Sequence, residues 1–163
     1  FVFVIDPNSE TVLDSIEVAH NPNSLTALGN DYVAILCEGR LGSCDPSKFQ
    51  LILTDSAKVI KEVTLNVGGK PSLLRISPAN GNIYFAYKGI HYIHPVSFTL
   101  EDKIIDLPGA NVYGFDIDPV TGNFYVSDAK DYVKKSDVYV YKNGESKLSE
   151  FEAGVICNGF VFR

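Results

Sequence analysis

The chain has 163 residues, enough to bury a core, with 14 basic against 20 acidic residues and a net charge of -6. That balance, with no local Lys/Arg cluster to offset it, excludes a nucleic-acid surface. No apolar run is long enough to cross a bilayer as a helix, and three Cys are too few for a disulfide scaffold and lack zinc-ligand spacing.

The chain carries no Met and opens inside a strand pattern, Phe1-Val2-Phe3-Val4-Ile5, so a longer parent protein is expected. Apolar and polar residues alternate throughout, and no stretch keeps a helical period. Val2 and Val4 mark a first strand and Val12, Ile16 and Val18 a second, around the turn Asp6-Pro7-Asn8. Four strands are predicted at 25–28, 32–37, 49–54 and 59–65. Four more fall at 73–77, 83–87, 91–94 and 103–107. A third set falls at 112–118, 124–127, 138–141 and 148–152, and a last strand at 159–162. Nine Tyr and ten Phe suit strands that fill the space between sheets.

One turn recurs. Ile5-Asp6-Pro7-Asn8-Ser9-Glu10-Thr11-Val12, Ile76-Ser77-Pro78-Ala79-Asn80-Gly81-Asn82-Ile83 and Ile117-Asp118-Pro119-Val120-Thr121-Gly122-Asn123-Phe124 share one design. A supersecondary unit repeating about every 40 to 50 residues marks a blade array. The expected fold is all-β, a β-propeller of four-stranded antiparallel blades with no helix longer than a turn or two. With strands lettered a to d from the channel outward, the chain reads c-d, three times abcd, then a. Residues 1–20 are the outer strands of one blade, 21–66, 67–108 and 109–153 are three blades, and 154–163 hold a ring-closing inner strand. That count is about half of a seven-bladed ring, within the usual range of about four to eight. The unpaired strands at both ends are expected to need an N-terminal half of the propeller as partner, and to drive self-association without it.

Cys37 and Cys44 flank the loop Glu38-Gly39-Arg40-Leu41-Gly42-Ser43. Two readings stand: two unrelated small hydrophobes, or a loop disulfide if the protein works outside the cytoplasm.

Val4-Ile5-Asp6, Thr11-Val12, Ile16-Glu17-Val18 and Asn21-Pro22-Asn23-Ser24 resemble the repeat of YncE-like, YVTN-type propellers. Gly114-Phe115-Asp116-Ile117-Asp118-Pro119-Val120-Thr121-Gly122, Tyr125-Val126-Ser127-Asp128-Ala129-Lys130-Asp131-Tyr132-Val133 and Val138-Tyr139-Val140-Tyr141 resemble a propeller family of gut Gram-negative bacteria. Its members are called surface layer proteins or left as a domain of unknown function, and the family is similar to the BtuG cobalamin-capture lipoproteins. The resemblance covers the whole chain and only the C-terminal half of such a protein. It implies a seven-bladed, lipid-anchored protein of the outer membrane or cell surface, or a periplasmic one. It also implies a corrinoid ligand and a TonB-dependent receptor as partner.

Enzyme motifs are missing: no Gly-x-Ser-x-Gly elbow, no P-loop, no His-Glu-x-x-His. His91 and His94 lie three apart on one strand and face opposite ways, which reads as two separate structural histidines rather than a metal pair. Asp116-x-Asp118 lacks the Gly and Glu of a calcium loop, with Thr121 and Ser127 in their places, and reads as a hairpin turn in which Gly122 supplies the positive φ. No cofactor is expected.

In a propeller the b–c and d–a loops meet at one channel mouth. Arg40, Lys88, Asp128, Asp131 and Tyr132 come there from b–c loops, and His20, Asn21, Asn23, Lys70, Ser72, Asn111, Tyr113 and Asn158 from d–a loops. Arg40, Asn111, Tyr113, Asp128, Asp131 and Tyr132 are the candidate ligand-binding residues. The plainer reading has the Asp residues capping backbone amides of their own loop, and Asn23 and Ser24 bracing the entry to strand a. Three functions remain open: a non-catalytic capture protein, a propeller enzyme of the lyase type, and a scaffold with protein partners only.

Overall fold

In a computed structural model, residues 1–40, 42 and 44–163 are described, and all their regular structure is β. The strands are β1 (Val2–Asp6), β2 (Thr11–Ile16), β3 (Pro22–Leu28), β4 (Tyr32–Cys37), β5 (Ser47–Leu53), β6 (Lys58–Leu65) and β7 (Ser72–Ile76). They continue with β8 (Ile83–Ala86), β9 (Gly89–Ile93), β10 (Ile105–Asp106), β11 (Val112–Ile117), β12 (Phe124–Asp128), β13 (Lys135–Lys142) and β14 (Ser146–Val155). They form a hairpin β1-β2 and three four-stranded sheets, β3-β4-β5-β6, β7-β8-β9-β10 and β11-β12-β13-β14. Each sheet follows chain order, an antiparallel meander whose short turns leave no room for a crossover. The chain divides into two compact units, Phe1–Leu74 and Arg75–Arg163.

In the first unit the middle strands are covered on both faces. Ala34, Ile35, Leu36 and Cys37 are all fully buried, so β4 reads as an apolar run rather than an alternation. Strand β6, at the sheet edge, keeps its charged residues outward. Ile16, Ile35, Cys37 and Ile52 form one cluster with Val2, Val18 and Val33 against it, which seats the β1–β2 hairpin on the sheet. Each such aliphatic side chain contributes about 1.5–3 kcal/mol through burial. In the second unit Tyr84 stands edge-on to Phe124 at 4.8 Å, and Phe124 meets Phe115 at 5.4 Å, joining the two sheets there.

The recurrent turn has one hydrogen-bond pattern. At Asp118, the Asp118 N–H donates to Asn123 O (2.9 Å) and Gly122 N–H to Asp118 O (2.9 Å), with Gly122 at φ 71°. At Ser77, the Ser77 N–H donates to Asn82 O (2.8 Å) and Gly81 N–H to Ser77 O (2.8 Å), with Gly81 at φ 73°. A copy not evident in the sequence lies at His94-Pro95-Val96-Ser97-Phe98. There His94 N–H donates to Thr99 O and Phe98 N–H to His94 O, both at 2.9 Å, with Phe98 at φ 56°. Asp118 Oδ1 accepts the Val120 N–H (2.9 Å), and His94 Nδ1 accepts the N–H of Val96 (3.3 Å) and Ser97 (3.2 Å) in the same way. His94 is thus a turn acceptor. His91 stacks on Phe85 at 5.0 Å and bonds the Tyr87 carbonyl.

The structure bears on three expectations. Residues 157–163, where a ring-closing strand is expected to pair with another part of the ring, join no ladder within this chain. Their side chains pack instead, Phe160 and Phe162 against Tyr125 at 5.7 and 5.2 Å. The strand at 103–107 shrinks to two residues, because Lys103 and Ile104 approach β9 over Gly89. A Cβ on Gly89, at φ 128°, would stand 2.0 Å from the Ile105 carbonyl oxygen, so only glycine allows that approach. Finally, Cys37 and Cys44 are free thiols. Strand pairing turns the Cys37 side chain into the Ile16–Ile52 cluster, while Cys44 lies exposed on the loop. Leu41 and Ser43 of that loop lie outside the described residues.

Candidate functional site

In the second unit the site grows from the entry to β11. Val112 pairs with Asp128 and Gly114 with Ser127, so Tyr113 is the extra residue of a bulge. The bulge aims its ring out of the sheet. The entry to β3 repeats this, with Asn23 between the pairs Pro22–Cys37 and Ser24–Leu36.

The loop after β12 is tied to that entry by one backbone bond and one from the Asn111 side chain. Ala129 N–H donates to Asn111 O (2.9 Å), and the Asn111 amide donates to Lys130 O (3.3 Å). Asp128 Oδ1 accepts two backbone N–H groups, from Asn111 and from Lys130, each at 2.8 Å. Asp131 Oδ1 accepts those of Val133 (3.1 Å) and Lys134 (2.9 Å), and Lys134 Nζ lies 3.2 Å from Oδ2. The N–H groups of Lys134 and Val133 hold the Asp131 carboxyl down at about 2. Both carboxylates therefore cap their own loop, as the plainer sequence reading has it.

Those caps hold an unusual backbone. Lys130 (φ 51°) and Tyr132 (φ 63°) are left-handed, a conformation costing on the order of 1–3 kcal/mol for each non-glycine residue. The result is that Tyr132 stands beside Tyr113, edge to face, with centroids 5.5 Å apart at 83°. The rings stay 47% and 38% exposed. Lys130 Nζ reaches Asp137 Oδ1 at 2.7 Å, and that carboxylate raises the lysine pKa. Of the six candidate residues, Asn111, Tyr113, Asp128, Asp131 and Tyr132 meet here. The sequence reading overlooked Lys130 and Asp137, whose pairing crosses from the loop to β13.

Arg40 belongs to the first unit. Its N–H donates to Asp45 O (3.0 Å), closing the loop after β4 by an isolated bridge. Arg40, Glu38 and Asp45 line one wall of a cleft of about 380 Å³, and Asn66 and Gly68 of the loop after β6 line the other. The b–c and d–a loops of this blade thus do meet around a concavity. Its acids are engaged: Glu38 binds the Asn23 amide (3.0 Å) and lies 3.5 Å from Lys70 Nζ, and Asp45 lies 2.5 Å from His20 Nδ1. That His20–Asp45 contact is at ion-pair distance but outside hydrogen-bond geometry, since Asp45 Oδ2 has no hydrogen-bond partner among the described residues. Asn23 also donates to Pro71 O (2.7 Å), and Ser24 Oγ accepts from Leu74 N–H (2.8 Å), so both brace the next inner strand.

No protein family matches the chain, and no curated protein does. Solved structures do. A protein of unknown function from Bacteroides caccae aligns with 99% of this chain at a TM-score of 0.66 and 14% identity. The Pyrococcus horikoshii acylaminoacyl peptidase aligns with 82% of it, at a TM-score of 0.55 and 14% identity. The blades are those of a β-propeller. Identities this low show fold alone. The chain spans 57% of the Bacteroides caccae protein and 24% of the peptidase.

Proposed function

We propose that this propeller is a non-catalytic, surface-exposed binding protein whose ligand rests on the Tyr113–Tyr132 pair. The supporting observation is two half-exposed aromatic rings fixed by a strained, multiply capped loop. A loop that holds two left-handed residues to present apolar faces to solvent has a use for those faces. The ligand class that suits them is large, flat and edged with amides. A corrinoid is the leading candidate, captured for a TonB-dependent transporter, and the resemblance of 125–133 to a surface-propeller family similar to the cobalamin-capture lipoproteins supports it. The Tyr faces would cover apolar ring surface, while the Asn111 amide and loop backbone meet peripheral amides.

The test is calorimetric titration of the full-length protein with cyanocobalamin. Micromolar or tighter binding that falls on truncation of Tyr132 supports the reading. No heat at micromolar concentration discards the ligand, and wild-type affinity in a Tyr113, Tyr132 double truncation discards the site.

A further inference from the structure

A second concavity lies in the second unit at the other end of the strands. Strand β13 runs away from the 128–134 loop, and the Asn143-Gly144-Glu145 turn at its far end closes over Tyr84, Tyr92 and Ile104. The cleft is about 350 Å³. Its floor is aromatic: half-buried Tyr92 lies 5.5 Å from the buried Tyr84, tilted by 35°. The Tyr84 hydroxyl is occupied, accepting from the Asn82 amide at 3.1 Å, and its ring is held by Phe124. The turn is fixed as well. Asn143 is left-handed at φ 49°, and a Cβ on Gly144 would come within 2.9 Å of Ile104 Cδ1.

The polar groups around this floor are uncommitted. Among the described residues the Asn143 amide, the Glu145 carboxylate and the Tyr92 hydroxyl have no hydrogen-bond partner. This contrasts with the loop around Tyr132, where Asp128 and Asp131 are filled by backbone N–H groups. An aromatic floor edged by polar side chains free of hydrogen bonds is the general form of a small-molecule site.

We infer that this cleft binds a neutral pyranose ring, free or at the end of a glycan. The aromatic face would cover the apolar C–H face of the sugar. Asn143 supplies a donor and an acceptor, Glu145 two acceptors and Tyr92 one of each, which together match adjacent hydroxyls, themselves both donors and acceptors. The lining holds a carboxylate and no cationic side chain, which disfavours an anion. An alkylammonium ligand offers no acceptor and would leave the Asn143 and Tyr92 donors unmatched on desolvation. The site shares no residue with the Tyr113–Tyr132 pair, so it stands or falls apart from corrinoid capture.

The experiment is saturation-transfer NMR of the full-length protein with a panel of methyl pyranosides, and with tetramethylammonium alongside. At least one pyranoside should bind in the millimolar range. Its affinity should fall tenfold or more in Tyr92→Ala and severalfold in Glu145→Gln and Tyr92→Phe, with cyanocobalamin titration unchanged. Glu145→Gln and Tyr92→Phe keep shape and secure the result if Tyr92→Ala fails to fold. No transfer from any pyranoside, transfer unaltered in all three variants, or binding of tetramethylammonium alone would each overturn the inference. A glycan array separates the two sources: signal confined to terminal residues means a glycan end, and equal affinity for free and linked sugar means the ring suffices.

Discussion

The ring of Tyr113 stands edge-on to that of Tyr132, 5.5 Å between centroids, and neither ring is placed by ordinary strand geometry. One is pushed out by a bulge and the other by a left-handed backbone. Each therefore depends on bonds made elsewhere: Tyr113 on the Val112–Asp128 and Gly114–Ser127 pairs, Tyr132 on the Tyr132 N–H to Ala129 O bond of 2.9 Å.

Truncating either ring should weaken corrinoid binding by roughly 1–3 kcal/mol if both are central contacts. The double truncation should cost less than the sum, because the two rings pack edge to face. Calorimetry on the two single variants and the double variant measures the coupling. Strict additivity would mean that the rings act separately.

Asp128 is expected to matter for stability rather than for ligand contact. Its Oδ1 takes two backbone N–H groups, and Asp128→Ala leaves both without that acceptor. A loss of about 1–3 kcal/mol follows. Asp128→Asn keeps an acceptor oxygen and should lose less. Urea unfolding of the full-length protein gives both values, and equal midpoints for wild type and Asp128→Ala would refute the role.

Asp131 should link the loop to pH only in strong acid. Its folded pKa, about 2, lies below the ordinary 3.8, so its contribution is complete above the ordinary value and is lost as pH falls from 3.8 through 2. Carbon-detected NMR of the side-chain carboxyl should show a midpoint near 2. The Val133 and Lys134 amide shifts should move with it. A midpoint at the ordinary value would mean that the two N–H bonds are absent in solution.

His94 occupies the acceptor position that Asp118 fills in the equivalent turn. His94→Asp should therefore preserve the β9–β10 hairpin, since a carboxylate accepts the same two N–H groups, whereas His94→Ala should cost about 1 kcal/mol. Hydrogen exchange at Phe98 and Thr99 reads the turn directly. Faster exchange in the Asp variant than in the Ala variant would reject the equivalence.

Strand positions were legible because alternation and Pro/Gly turns are local signals. β4 runs over the predicted 32–37, and the Asp118 turn has the Gly122 conformation expected of it. The His94 turn escaped because imidazole is not a residue one looks for as a turn acceptor, although Pro95 marks the place. Residues 159–162 show the limit of pattern: an apolar alternation becomes a strand only where a ladder partner lies beside it. At the site, residue types were legible and their commitments were not. That Asp128 and Asp131 both cap their loop depends on bonds to the N–H groups of residues 111, 130, 133 and 134, set by left-handed angles at Lys130 and Tyr132.

The two thiols of the first unit should react very differently. Cys37 is buried, its Sγ lying 3.8 Å from Gln50 Oε1, and burial raises its pKa to about 11. At neutral pH it is a thiol with almost no nucleophilic thiolate, and the Ile16, Ile35 and Ile52 side chains shield it. Cys44 is exposed. Iodoacetamide should label Cys44 in the native protein and reach Cys37 only after unfolding. Non-reducing mass spectrometry of the native protein should find no peptide joining 37 to 44. Finding that linked peptide, or equal native labelling of the two sites, would show that β4 turns Cys37 toward the loop rather than into the core.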